Sequence, residues 1–230
     1  MNSKNELKLI RTADGSFSLY TARFKDSYHS SHGALREAKH VYIEAGLEQA
    51  HARHPRALRL LELGFGTGLN ALLSLQYARK HELKLHYVAL EAYPLSEDWV
   101  EKLNYPEILQ LTEEEQQLFR HMHLAPWNEP VQLSPNFVLE KRLQKFEHLE
   151  ELECFDLLYY DAFGPQAQAP LWGDEMVARV YNALRKGAVL TTFCAQGAFR
   201  RSLEAVGFRV ERLPGPPGKR EMLRAWKEEG

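Results

Sequence analysis

Apolar residues fall in short runs, and between the runs they recur every three or four positions. Leu58 to Leu63, Leu85 to Glu91, Phe155 to Tyr160 and Ala188 to Phe193 read as core strands, because near-continuous apolar runs of this length suit strands buried on both faces. Phe137 to Leu139 reads as a short strand. Phe208 to Leu213 and Met222 to Trp226 read as an antiparallel pair joined by Pro214-Gly-Pro-Pro-Gly218. Helical periodicity runs over Ala34 to Ala50, Leu69 to Lys80, Pro170 to Leu184 and Gly197 to Val206. In the first of these, Ala34, Leu35, Ala38, Val41, Tyr42 and Ala45 share one stripe. A helical insert over Leu95 to Leu124 separates the second core strand from the third. Near the start, Phe17, Leu19 and Thr21 alternate with Ser16, Ser18 and Tyr20 beside the Asp14-Gly15 turn, so residues 12 to 28 predict a hairpin. His29-Ser-Ser-His-Gly33 follows as a loop.

Strands alternating with helices predict one α/β domain over residues 1–230, with a mostly parallel, seven-stranded sheet and an antiparallel last strand. Residues 1–57 form an N-terminal extension, and residues 95–124 an insert after strand 2. Composition is ordinary for a globular chain, at 44% hydrophobic and 26% charged. No apolar run reaches membrane-spanning length and Met1 to Arg11 is polar, which points to a soluble cytoplasmic protein. Cys154 and Cys194 form no C-x-x-C pair and read as buried structural thiols.

The net charge of −2 conceals an asymmetry. Glu97 to Glu115 holds seven acids and one base, whereas Arg185 to Arg224 holds nine bases and three acids. Such a chain can offer a phosphate backbone one basic side.

The most informative segment is Leu60-Leu-Glu-Leu-Gly-Phe-Gly-Thr-Gly-Leu-Asn70, a strand running through alternating glycines into a helix. Gly64, Gly66 and Gly68 let the backbone approach a ligand closely, and the helix opens with free N–H groups. The spacing differs from the dinucleotide fingerprint, and Glu62 would repel a pyrophosphate while suiting a cationic amino group. A dehydrogenase is thereby disfavoured. Ligands of doubly wound sheets bind at the carboxyl ends of strands, where Glu62, Glu91, Glu140 and Asp161 are expected. Glu91, 23 residues after Gly68, has the position of a ribose-binding acid, and Glu140 could accept from an adenine amino group. Asp161 leaves an apolar strand into Ala-Phe-Gly-Pro, with Pro170-Leu-Trp172 beyond, which sets a carboxylate beside rings able to stack on a planar group. His29 and His32 lie in a loop near this region, and the His121-Met-His123 spacing lacks a third metal ligand nearby. No metal site, Walker lysine or Ser-His-Asp order emerges.

Five segments together, Gly64-Phe-Gly-Thr-Gly-Leu-Asn70, Leu90-Glu-Ala-Tyr-Pro-Leu95, Tyr160-Asp-Ala-Phe-Gly-Pro165, Phe199-Arg-Arg-Ser-Leu203 and Gly218-Lys-Arg-Glu-Met222, closely resemble the methyltransferases that complete 5-methylaminomethyl-2-thiouridine at the tRNA wobble position. The resemblance implies a Rossmann-like class I fold and S-adenosylmethionine-dependent N-methylation of a 5-aminomethyl group, with tRNA as partner. Carried over by position, it implies a cofactor site at the glycine turn, with Gly64, Gly66, Thr67, Gly68 and Asn70, and at Glu91, with Asp161 near the reacting amine and Lys219-Arg220 on the RNA side; the strand-end acids Glu62 and Glu140 are the further cofactor candidates. Phe163 or Trp172 would stack on the flipped uridine, and Arg200, Arg201, Lys219 and Arg220 would meet phosphates. Family members often carry Asp where this chain has Glu140. Many are fused to a flavin-dependent oxidase, so this chain is expected to use aminomethyl uridine supplied by separate enzymes. The alternatives are another small-molecule amine methyltransferase and, as the main rival, a polyamine-synthase-like aminopropyltransferase, whose family has a two-acid arrangement where this chain has Phe163 and Gly164 after Asp161. A non-catalytic RNA-binding module that keeps the glycine turn only for folding is the rival of another class.

Overall fold

A computed structural model describes residues 7–228, so the polar start falls partly outside the described residues. The N-terminal extension opens with β1 (Leu7–Arg11), β2 (Phe17–Thr21) and β3 (Asp26–Ser27), a small antiparallel sheet. Asn104 anchors it, accepting from the Phe17 N–H at 2.7 Å and donating to the Gly15 carbonyl at 3.0 Å. A continuous helical stretch follows: α1 (Ala34–Ala38), a π-helical segment (Lys39–Leu47) and α2 (Glu48–Arg53). The helix predicted over residues 34–50 is present, but its middle is wound wider. Gly46 lies in that wide part, where a Cβ would come within 2.9 Å of Thr191 Oγ1.

The core then runs β4 (Ala57–Leu63), α3 (Leu69–Lys80) and β5 (Lys84–Glu91). The insert is three helices, α4 (Glu97–Val100), α5 (Tyr105–Ile108) and α6 (Glu113–Leu124), the last closed by a capping box between Thr112 and Glu115. Next come β6 (Pro130–Ser134), β7 (Phe137–Leu143), β8 (Phe155–Tyr160), α7 (Asp174–Ala183), β9 (Leu184–Thr192), α8 (Gly197–Ala205), β10 (Phe208–Pro214) and β11 (Glu221–Lys227). The segment expected as one helix from Pro170 splits into a short 3-10 turn, Ala169–Trp172, and α7.

The main sheet has the order β10-β11-β9-β8-β4-β5-β7-β6. The α/β class and the antiparallel β11 agree with expectation, but among the described residues the sheet has eight strands rather than seven. The addition is β6, a half-exposed edge strand that begins at Pro130 and pairs antiparallel with β7. Successive strand residues face opposite layers: Leu60, Tyr87 and Tyr159 pack toward one core, Leu61, Val88 and Leu158 toward the other. Helices cover both faces, as a parallel sheet requires. Among the described residues, no helix is long and apolar enough to cross a membrane.

This topology creates the site. β4 lies between β8 and β5; the strands that follow it build outward through β5, β7 and β6 before the chain crosses back to β8 on its other side, so the crevice opens at the carboxyl ends of β4, β5 and β8. Register does the rest. Leu63 pairs with Tyr160 and with Leu90, so the next residues, Gly64, Asp161 and Glu91, emerge side by side.

Candidate active site

A cavity of about 660 Å³ occupies this crevice, within the range of small-molecule sites. Its floor is the glycine turn. Gly64, Gly66 and Gly68 all have positive φ, at 101°, 50° and 73°. A Cβ on Gly64 would stand 3.0 Å from the Asp161 carbonyl, and one on Gly68 would stand 2.8 Å from His123 Nε2, so only glycine lets the strand ends close up. Gly64, Gly66, Thr67 and Asn70 line the cavity, whereas Gly68 caps α3 behind it.

On the β5 side stands Glu91. Its Oε2 accepts from the Gly66 N–H at 3.0 Å and its Oε1 from the Tyr93 N–H at 2.8 Å. Both oxygens are thus aimed, and each keeps lone-pair capacity toward the cavity. Burial raises the Glu91 pKa, opposed by these backbone donors.

On the β8 side stands Asp161. Tyr42 donates its hydroxyl to Oδ1 at 2.5 Å, and Asn70 donates from Nδ2 to Oδ2 at 2.8 Å. The same Asn70 nitrogen donates to Glu62 Oε1 at 3.0 Å, so one amide serves two carboxylates with its two protons. Burial pushes the Asp161 carboxyl up to about 7, while the Tyr42 and Asn70 bonds pull it down. Glu62 is pushed above the usual carboxylate range, by burial and then by the charge of Asp161. Asp161 titrates near neutrality, the condition suited to a base. Tyr42→Phe removes a donor that favours the ionised carboxylate, so the Asp161 pKa rises. The acidic limb of the pH–rate profile is expected to move to higher pH, with about 1 kcal/mol lost from stability. A profile superimposable on wild type would rule out this coupling.

The remaining lining comes from the N-terminal sheet and the loops. Phe163 lies at 4.7 Å from the Phe24 ring and 5.0 Å from Tyr28, forming an aromatic mouth. His29 reaches the cavity, with its ring bonded to Ser18 Oγ at 3.0 Å, and burial lowers its pKa to about 4, so it is neutral. Glu37 accepts from Lys219 Nζ at 2.7 Å inside the cavity wall.

Four sequence expectations need correction. Glu62 does not line the cavity; it lies one layer beneath, 1% exposed, and reaches it through Asn70. Glu140 is also outside, because β7 continues to Leu143 and pairs Glu140 with Val88, three residues before Glu91. Its carboxylate is held by Arg142 at 2.7 Å and by His86 at 2.9 Å. Trp172 is buried, with its ring against Tyr160 and Phe199 and its Nε1 donating to the Phe163 carbonyl at 2.8 Å, so it supports the mouth rather than stacking in it. Trp172→Ala is accordingly expected to cost about 3–5 kcal/mol of stability in denaturant unfolding, the scale of a buried aromatic. A loss under 1 kcal/mol would contradict that placement. Lys219 faces inward, leaving Arg201 and Arg220 exposed and Arg200 paired with Glu204 at 2.6 Å.

The histidines divide: His32 and His121 are exposed, and His123 lies on α6, not a strand, with its ring against Phe65 and Phe119. Cys194 is buried, but Cys154 is only half-buried. Tyr42 and Glu37 are functional candidates beyond those named from sequence. The available signal was a tyrosine and a glutamate within an apolar helical stripe, each needing a polar partner.

The chain is similar to proteins named tRNA 5-methylaminomethyl-2-thiouridine biosynthesis bifunctional protein MnmC. It is 33% identical over 213 residues to that of Aromatoleum aromaticum, covering 89% of this chain and 33% of the relative. It is 35% identical over 215 residues to that of Caulobacter vibrioides, covering 89% of this chain and 36% of the relative. The chain thus spans about a third of the length of these curated relatives. In fold it is similar to the crystal structure of MNMC2 from Aquifex aeolicus, with a TM-score of 0.79, 22% identity and coverage of 98% of this chain and 71% of that one. Spermidine synthase from Thermotoga maritima has a similar fold at a TM-score of 0.58, with 15% identity and coverage of 100% and 72%. A family model described as S-adenosyl-L-methionine-dependent methyltransferase matches residues 110–228, a stretch that includes Asp161, Phe163 and Lys219. With more than half its length matched, the chain belongs to this family of S-adenosyl-L-methionine-dependent methyltransferases.

Proposed function

We propose that this chain, as a single methyltransferase domain over residues 1–230, methylates the amino nitrogen of 5-aminomethyl-(2-thio)uridine at the tRNA wobble position. The observation that carries this reading is that Asp161 and Glu91 line one cavity, at the carboxyl ends of the two strands that flank β4 and its glycine turn. The names of the relatives support the choice of substrate. The reading also implies a cytoplasmic enzyme, and earlier enzymes that make the primary amine.

The donor fits the residues present. The close backbone of Gly64 and Gly66 leaves room for a nucleoside, and Glu91 offers two oriented acceptors for ribose hydroxyls. Asn70 and Thr67 complete that wall. When bound, S-adenosylmethionine supplies a methyl group activated by a positive sulfur.

The chain's own task is to present a neutral amine. An alkylamine of pKa about 10.4 is free base in only about four parts in ten thousand at pH 7, a cost of about 4.6 kcal/mol. A nearby carboxylate alone would stabilise the ammonium. Asp161 instead orients the amine through a carboxylate fixed by Tyr42 and Asn70, and accepts the proton as nitrogen gives up its lone pair. Its pKa of about 7 sets it between its two forms at the working pH. Phe163, with Phe24 and Tyr28, offers the uracil a stacking surface, and the exposed Arg201 and Arg220 are available to phosphates.

The aminopropyl-transfer reading retains some support from the fold. A second acid, Glu37, does line the cavity, but Lys219 pairs with it at 2.7 Å and occupies the carboxylate that a diamine's second amine would need there. Two incubations decide between them: methyl-labelled S-adenosylmethionine with undermodified tRNA, and decarboxylated S-adenosylmethionine with a small diamine. Methyl label in tRNA is expected, and a polyamine product with no label in tRNA would overturn the proposal.

A further inference from the structure

Glu37 and Lys219 come from opposite ends of the chain, 182 residues apart, yet meet in the wall of the cavity that holds Asp161. Glu37 is 5% exposed on α1, and its other oxygen accepts from the Ser30 N–H at 3.0 Å, so it is fixed from two sides. Lys219 sits on a stiff turn. Its N–H donates to the Pro216 carbonyl at 2.9 Å, Gly215 donates to the Arg220 carbonyl at 3.1 Å, and Gly218 has a φ of 86°. The ammonium lies 3.7 Å over the Phe193 ring, which follows the end of β9. An ion pair built from three separate elements and turned into a cavity costs desolvation that a surface pair would not. Its charges are better placed for chemistry than for stability.

We propose that Lys219 is a positioning residue for methyl transfer: its fixed positive charge offsets Glu37 and so keeps Asp161 in its proton-accepting form, while disfavouring the ammonium form of an incoming amine. The groups facing Asp161 are Tyr42 on the π-helical segment, Glu62 at the end of β4, Asn70 on α3, Glu37 on α1 and Lys219 in the β10–β11 turn. Of these, Glu37 acts to raise the Asp161 pKa and Lys219 to lower it. His29, neutral in the same cavity, feels the same pair. Removing Lys219 alone leaves a buried, uncompensated carboxylate near Asp161, whereas removing both charges restores balance.

The proposal rests on Asp161 acting as the base, but its test is independent of any substrate. The Asp161 carboxyl carbon is titrated by carbon-13 NMR in the free protein, with the resonance assigned by its loss in Asp161→Asn. Relative to wild type, Lys219→Met is expected to raise the midpoint by about one pH unit and Glu37→Gln to lower it, the scale of one nearby charge. The double variant is expected to return close to wild type, and Lys219→Arg to leave the midpoint in place. If Lys219→Met does not fold, Glu37→Gln carries the test through its opposite sign. An unmoved midpoint in Lys219→Met or Glu37→Gln, or a double variant no closer to wild type than the single, overturns the proposal. Absence of tRNA methylation in the wild type would count against the substrate reading and leave this titration to be decided on its own result.

Discussion

Asp161→Asn is expected to slow methyl transfer by about 10²- to 10⁴-fold, the range attributed to a positioned general base. The substitution preserves shape, and Tyr42 can still donate to the remaining carbonyl oxygen. What it removes is the proton acceptor, together with the charge that holds the amine. Because Asp161 follows β8 directly and its backbone packs on Gly64, the fold and the donor side should be little disturbed. Donor affinity measured by calorimetry should therefore stay near wild type while turnover collapses. The pH profile should also lose the limb near pH 7, since the carboxyl pushed up to about 7 is gone. Nearly full turnover with an unchanged profile would remove Asp161 from the chemistry.

Glu91→Ala is expected to have the opposite signature. Two hydrogen bonds to a charged group, at about 1.5–3 kcal/mol each, amount to at least about 100-fold in donor affinity. Turnover at saturating donor should fall much less. The Gly66 and Tyr93 N–H groups lose their partner but face the cavity, where water can reach them, so the cost in stability stays modest. Glu91→Gln, which keeps one acceptor, should fall between. Donor affinity within a few-fold of wild type in Glu91→Ala would separate this carboxylate from the cofactor.

These two ends of the site were legible in the sequence for one reason: both follow apolar strands at places where the pattern breaks abruptly. A buried strand ending in glycines or in an acid followed by Gly-Pro leaves a clear signal. Glu140 misled because the apolar run stops at Leu139 while the strand does not. Lys141 continues it as a buried residue, 1% exposed, with its ammonium donating to the His123 carbonyl at 2.6 Å and lying over the Trp127 ring. A lysine stem packed in this way reads as polar in sequence, although most of its length behaves as hydrocarbon. The edge strand β6 was missed because Pro130 and a half-exposed pattern weaken its alternation.

The acceptor end was only half legible. The stripe over residues 34–50 identified Tyr42 as a packed residue, but periodicity carries no information on where its hydroxyl points, nor on the π-helical winding that sets it. Lys219 read as a phosphate contact because it lies in a basic stretch. The Pro-Gly turn before it reverses the chain and sends the side chain inward, a consequence of backbone geometry that a charge count cannot contain. Trp172 shows the converse: the aromatic expected to meet a base is consumed in holding the Phe163 loop.

The central claim is that the glycine turn with Glu91 holds the donor while Asp161 prepares an amine on tRNA. The most direct measurement offers the chain S-adenosylmethionine and an anticodon stem-loop carrying either uridine or 5-aminomethyluridine at the wobble position, and reads the nucleosides by mass. One added methyl on the aminomethyl nucleoside and none on the uridine control is the expected result. A methyl group at any other atom, or equal methylation of both stem-loops, would contradict the account.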